Sequence, residues 1–337
     1  MKIFMIGGTG LLGSEAAKIM IENGHEVVSI ALPPLPTGSV LPESMKIEFG
    51  NYMEMSDDTL RSYFKGCEGF VFAAGVDERI EGPAPIYDMF KKYNIDPVER
   101  LLRIAKEEGV KHSVILGSYF TYLNRARKDE ELAKWHPYIR SRQDQQDVAL
   151  SFADEDFDVS VVELPYIFGT QPGRKPVWMF LVENIMNMPE VTYYPEGGTA
   201  MVTVKQVAQA IFGALTKNKG GNAYPIGYYN LTWNEMLEIV HETMGMKDRK
   251  IVNLSKEVFD KGLDARRAHD LEKGVEPGLN MEKFADLQCS EMFIDKSLAS
   301  DFLGVEEDDI KAAIKESIQL CLDILDDKVS AIGMKAE

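Results

Sequence analysis

Cysteine is scarce in this 337-residue chain: Cys67, Cys289 and Cys321 are its only three, widely spaced and odd in number. That excludes a disulfide framework and every paired-cysteine zinc pattern. Five histidines are scattered and form no ligating cluster, so no metal site is expected. No apolar stretch reaches membrane-spanning length. The first strand begins at residue 2, leaving no room for a signal peptide, and the expected location is the cytoplasm. Positive charge is also short, with 37 Lys and Arg against 54 Asp and Glu, a formal net charge of −17. Such a surface repels nucleic acid and anionic membranes and leaves a small molecule as the expected partner. No internal repeat and no low-complexity tract is present.

What is present is ordinary globular material, 45% hydrophobic and 27% charged, ordered in alternating elements. Lys2 to Ile6 is a short apolar run that suits a buried parallel strand. Gly7, Gly8, Thr9 and Gly10 break it, and Leu11 to Asn23 carries apolar residues at helical spacing, ending at Gly24. His25 to Ile30 is a second strand. Further strands are predicted at Met45–Phe49, Gly69–Ala74, His112–Ser118 and Val159–Pro165, with helices at Asp57–Lys65, Ile86–Glu108 and Tyr138–Ala153. This alternation implies a Rossmann-type, doubly wound parallel α/β sheet. From residue 166 the composition changes to Gly, Pro and aromatics (YIFGTQPGRKPVWMF), and VTVKQVAQAIFGAL (202–215) reads as strand and helix returning to the sheet. The expected division is 1–165 plus about 200–220 for the dinucleotide domain, with 166–199 plus about 221–337 as a smaller, interleaved substrate region.

The spacing Gly7-x-x-Gly10-x-x-Gly13, between a strand and a helix, has the physics of a pyrophosphate cradle. Gly7 permits the tight turn, Gly10 lets backbone approach the phosphates, and Gly13 allows close helix–strand packing. The helix N-terminus offers free N–H groups to an anion. The reading predicts a bound dinucleotide.

The order GGTGLLG, FGN, FAAG, YNIDPVERLLRIAKEEGVKHSVILGS, a Tyr-bearing helix, ELPYIFG and VTVKQVAQAIFGAL resembles the extended short-chain dehydrogenase/reductase family, often called NAD-dependent epimerase/dehydratases. The resemblance runs along nearly the whole chain. It implies that Gly7, Gly10 and Gly13 meet the cofactor pyrophosphate, that Thr9, Leu11 and Leu12 bind the cofactor with them, and that Asn51, where the family usually has Asp, contacts the adenine. Ala73, Ala74, Gly75 and Pro165 would line the cofactor, and Asn94 would support the central helix. Ser118 and Tyr138 would be catalytic. It also admits a homodimer.

The departures carry as much information. Ala31, followed by Leu32 and two prolines, stands where the family places the acidic ribose anchor. No Lys or Arg occurs between Lys18 and Lys46 to hold a 2′-phosphate. The cofactor is therefore NAD or NADP, with a lean to NAD from the missing cation; Thr37, Ser39 and Arg79 are rivals for the 2′ contact. The family's Tyr-x-x-x-Lys becomes Tyr138-x-x-x-Arg142, an i, i+4 pair on one helical face. A cation there favours the phenolate and pulls the Tyr138 pKa from about 10 towards neutrality. The literal Tyr87-x-x-x-Lys91 precedes strand five and reads as scaffold. Tyr119 and Thr121 compete with Ser118 for the substrate oxygen.

On the substrate side, GGTAMVTV lacks the arginine that nucleotide-sugar members place before V-x-V. Arg174 and Lys175 are its possible replacements, beside Phe168, Trp178, Met179 and Phe180. The expectation is an NAD(P)-dependent oxidoreductase acting on a carbonyl or alcohol. A nucleotide-sugar epimerase/dehydratase and a non-catalytic NAD(P)-binding sensor or scaffold are the alternatives.

Overall fold

The computed structural model describes residues 1–38 and 41–333. Seven strands form one parallel sheet: β1 (Lys2–Ile6), β2 (Glu26–Ala31), β3 (Lys46–Phe49), β4 (Gly69–Phe72), β5 (His112–Ser118), β6 (Asp158–Leu164) and β7 (Gly221–Pro225). Their order is β7-β6-β5-β4-β1-β2-β3. The central strands β1 and β4 are largely apolar because both faces are covered. Ile3 and Met5 pack with Ala16, Ala17, Val207 and Ile211 on one side, while Phe4 and Ile6 pack with Leu60, Phe64, Leu101 and Leu102 on the other.

β1 lies between β2 and β4. The chain winds outward through β2 and β3, then crosses back to β4. A crevice opens at such a reversal, outside the carboxyl ends of the strands. Ile6 is level with Phe72, Phe72 with Ile115, and Ser118 with Leu164, so the residues that follow β1, β4, β5 and β6 meet along one edge.

Strand β7, expected in the substrate region, pairs with β6 and completes the large sheet. The segment predicted as one helix at Ile86–Glu108 is helical at Tyr87–Phe90 and Asp96–Glu107, with a π turn at Lys91–Ile95 between them. The remaining strands form smaller sheets. Tyr166–Phe168, Tyr229–Thr232 and Glu291–Met292 all pair with Gly198–Thr203, and Ile310–Leu325 is the last helix. Phe168, Trp178, Trp233 and Ile314 share a core cluster with Val76, Tyr119 and Tyr138. The C-terminal half is thus packed directly onto the open edge of the sheet.

Candidate functional site

A cleft of about 520 Å³ runs along that edge. Its first wall is the glycine loop. Gly7 has φ +85°, and a Cβ there would lie 2.3 Å from the Ala73 carbonyl oxygen. A Cβ on Gly13 would lie 2.2 Å from the Gly7 carbonyl oxygen, whereas one on Gly10 would meet only that oxygen, at 3.3 Å. Gly7 and Gly13 therefore serve packing, and Gly10 keeps the cleft side clear. The N-cap of the Leu11–Glu22 helix is Gly10, which has no side chain to close it, unlike Val204–Lys217 and Trp233–Thr243, whose N-termini are closed by capping boxes at Thr203 and Thr232. An uncapped N-terminus leaves its N–H groups to a ligand.

Thr9, Leu11 and Leu12 line the same wall, and Ala31, Leu32, Pro33 and Pro34 line the end beside β2. Asn51 is there too; its Oδ1 accepts from the Met53 N–H at 3.0 Å, which leaves the NH₂ group to donate. Ala73, Ala74 and Gly75 after β4, Ser118 at the end of β5 and Pro165 after β6 complete the floor. The cradle fits a dinucleotide: backbone donors, a side-chain-free approach at Gly10 and a polar amide lie in one continuous cleft.

Asn94 does not reach it. Its fully buried side chain accepts from Val76 N–H at 2.9 Å and donates to Val76 O at 3.1 Å. Of the 2′ rivals, Arg79 is held at the far end by Asp77 and the Val177 carbonyl. Thr37 presents backbone to Gly173, and Ser39 lies outside the described residues.

The second wall carries Tyr138, near the start of the Pro137–Ser151 helix. That start is fixed by the C-terminal half: Tyr138 N–H donates to Gly278 O at 2.9 Å, and His136 Nδ1 accepts from Asn280 N–H at 3.0 Å. Burial lowers the His136 pKa to about 4, so this ring is neutral and able to accept. Phe90 and Phe120 hold the Tyr138 ring edge-on.

Arg142 Nε donates to the Tyr138 hydroxyl at 3.0 Å, Nη1 to Gln145 Oε1 at 2.9 Å and Nη2 to Val76 O at 3.2 Å. Gln145 in turn donates to the Asn94 carbonyl at 2.7 Å, which lies within the π turn. The rigid guanidinium fork thus holds three acceptors at once, and Asn94 stands two steps behind it.

The electrostatic outcome differs from the expected one. The Tyr138 pKa is raised, not lowered, because desolvation of the buried phenol outweighs the Arg142 charge, and the Glu78 carboxylate adds to the rise. Glu78 lines the cleft beside Tyr138. Burial, followed by the neighbouring Asp77, raises its own pKa. Sequence reasoning missed Glu78; the signal was a charged DER run directly after the small residues that end a sheet strand.

Ser118 caps the Tyr119–Ala126 helix, accepting from Phe120 N–H at 3.4 Å, and its own proton is left to donate. Thr121 is turned away into a buried network with Glu163, which pairs with Arg125 at 2.6 and 2.8 Å. The Tyr119 hydroxyl is engaged with Thr199, although its ring lines the cleft. Tyr87 and Lys91 lie outside, held by Asp144 and Asp96. The aromatic stripe divides: Phe168 and Met179 are core, whereas Trp178, stacked on Phe168, and Phe180 line the cleft.

No curated protein matches the chain. Solved structures do. One titled gox2253 has a TM-score of 0.74 at 21% identity, covering 94% of this chain and 96% of its own. The UDP-glucuronic acid 4-epimerase from Bacillus cereus, in complex with UDP-glucuronic acid and NAD, has a TM-score of 0.67 at 12% identity, covering 96% and 100%. The NAD-dependent NDP-hexosamine 5,6-dehydratase TunA has a TM-score of 0.63 at 14% identity, covering 95% and 97%. These similarities establish the fold. The model of the NAD dependent epimerase/dehydratase family matches residues 3–227, and with the seven-stranded sheet and its glycine cradle this establishes that the chain belongs to that family of NAD-dependent enzymes.

Proposed function

We propose that the protein oxidises a substrate hydroxyl with NAD, as a dehydrogenase or as the first step of an epimerisation or dehydration, and that Tyr138, Arg142 and Ser118 carry the proton chemistry. The observation that carries this reading is the Arg142–Tyr138 pair at 3.0 Å in the same cleft as the uncapped glycine helix. Bound NAD supplies the hydride acceptor. The chain holds it by the backbone N–H groups after Gly10 and by Asn51.

Ser118 donates to the substrate oxygen and holds it towards Tyr138. In the oxidative direction Tyr138 takes the hydroxyl proton as general base. Its phenolate is stabilised by the Arg142 guanidinium, which cannot itself be deprotonated and so acts as a fixed charge. Gln145 and the Val76 carbonyl hold that charge in place, so little reorganisation accompanies proton transfer.

The segment 166–199 and the chain beyond β7 form the substrate wall in this proposal. Tyr166, Trp178 and Phe180 make it largely aromatic, with Lys175 as a charged group, and Glu78 and Arg79 face the same cleft from the loop after β4. UDP-sugars, as in the related complexes, are the first candidates, and less charged alcohols are the second. The test is a panel of both classes mixed with the enzyme and NAD, followed at 340 nm and by product NMR. Net NADH identifies a dehydrogenase; a converted sugar without net NADH identifies an epimerase or dehydratase. Intact NAD binding with no turnover of either class would overturn the catalytic reading.

A further inference from the structure

Arg174 was expected on the substrate side, as a replacement for a missing diphosphate-binding arginine. It is elsewhere. Its side chain lines the cleft at the glycine loop, with Nε donating to Gln171 Oε1 at 2.7 Å and Nη2 at 3.5 Å from the Thr9 carbonyl oxygen. Gln171 donates to the same carbonyl at 3.0 Å and to Ser14 Oγ at 3.3 Å. The loop bearing these residues is thus seated on the turn between β1 and the uncapped Leu11–Glu22 helix.

The seat is built from several directions. Gly169 N–H donates to Ser317 Oγ at 2.8 Å. Ile332 N–H donates to the Gly173 carbonyl and Lys175 N–H to the Ile332 carbonyl, both at 2.9 Å. Gly173 lies against Thr37, where an added Cβ would be 2.2 Å from the Thr37 carbonyl oxygen. The backbone on either side of Arg174 is therefore fixed, and the guanidinium is presented to the cleft from a strap that joins three separate parts of the chain.

Among the described residues Arg174 forms no ion pair, whereas Arg79, Arg100, Arg125 and Arg267 each hold an acid. Burial alone depresses its pKa, as it does for a cation taken from water without a partner. A half-buried guanidinium that forms no ion pair among the described residues, beside a helix whose N-cap, Gly10, has no side chain, is a two-sided anion site. Its fork matches phosphate oxygens.

We infer that Arg174 is a cofactor-binding residue whose guanidinium clamps the NAD pyrophosphate beside the glycine loop. The inference rests on the family's NAD dependence and adds a side-chain cation to a site otherwise made of backbone. It also explains how a chain without a charged ribose anchor at Ala31 retains its dinucleotide.

The experiment measures dissociation constants by calorimetry for NAD, NADP, ADP, adenosine and UDP, using the full chain and its Arg174→Ala and Arg174→Lys variants. Loss of a charge-assisted phosphate contact should weaken NAD, NADP and ADP alike by about tenfold or more, leave adenosine unchanged, and be partly restored by lysine. The salt dependence of NAD binding should also become shallower in Arg174→Ala. Unchanged NAD and ADP affinity in a folded variant overturns the assignment. So does a loss confined to NADP, which would place the contact at the 2′-phosphate, or one confined to UDP, which would place it on substrate. Failure of the parent chain to bind NAD would overturn the cofactor reading as well. If Arg174→Ala does not fold, Arg174→Lys and Arg174→Gln give the same comparison with most of the side-chain volume kept.

Discussion

In the glycine loop itself, the groups offered to a ligand are backbone N–H groups, and side chains matter mainly by being absent. At the Tyr138 end they are side chains, each held by another: Tyr138 by Arg142, Arg142 by Gln145 and Val76, Gln145 by the Asn94 carbonyl. The first end is local, since seven consecutive residues build it. The second gathers groups from the loop after β4, a π turn, the Pro137–Ser151 helix and the C-terminal half. The ends should therefore fail in different ways. A change in the cradle acts on affinity or folding, and a change in the network acts on rate and pH.

The sharpest test of that contrast is Tyr138→Phe. Turnover should fall by about 10²-fold or more through loss of the general base, while NAD affinity stays near the parent value. Arg142→Lys, which recreates the family's pair, should recover part of the rate lost in Arg142→Ala. An ammonium cannot reproduce the fork that reaches the Tyr138 hydroxyl, Gln145 and Val76 together. If Tyr138→Phe instead loses NAD and keeps its rate per bound cofactor, the division between the ends is wrong.

Within the cradle, Gly13 and Gly10 should separate folding from binding. Gly13→Val drives a side chain into the Gly7 backbone and should destabilise the protein by about 1–3 kcal/mol, as overpacking does, read as a lower Tm without cofactor. Gly10→Val should keep its cofactor-free Tm but lose the rise in Tm that NAD gives the parent, which corresponds to about 2.7 kcal/mol of stabilisation at a hundredfold excess over Kd. Equal behaviour of the two variants would contradict the assignment of Gly13 to packing and Gly10 to approach.

The smallest effect expected is on pH. Oxidation needs the Tyr138 phenolate, so its rate rises with pH through the Tyr138 pKa. The Glu78 charge raises that pKa, and Glu78→Gln removes the charge. The rising limb should then move to lower pH, by less than about one unit given the partial exposure of the cleft. A shift to higher pH would show that Glu78 acts on Tyr138 in some way other than by its charge.

The sequence alone determined six strands of the large sheet, the cradle and the family, whereas the seventh strand, Gly221–Pro225, was expected elsewhere and the strand at Gly198–Thr203, expected to return to that sheet, belongs to a smaller one. Those features are written in local patterns: apolar runs of strand length, helical spacing from Leu11 onward, and glycines where a Cβ would strike backbone two turns or one strand away. Tyr138 and Arg142 were legible for the same reason, being one helical turn apart. Tertiary structure decided what the pattern could not encode. The helix predicted over Ile86–Glu108 contains a π turn, and only the packing of Asn94 against Val76 and Gln145 shows what it supports. The Tyr138 pKa moves up because burial and Glu78 act from other segments, although the adjacent cation argued for the reverse. Arg174, 164 positions after Gly10 in the chain, reaches the glycine loop because Ser317, Ile332 and Thr37 pin the strap that carries it. Charges, desolvation and clamps act through space, and distance along the chain carries no record of them.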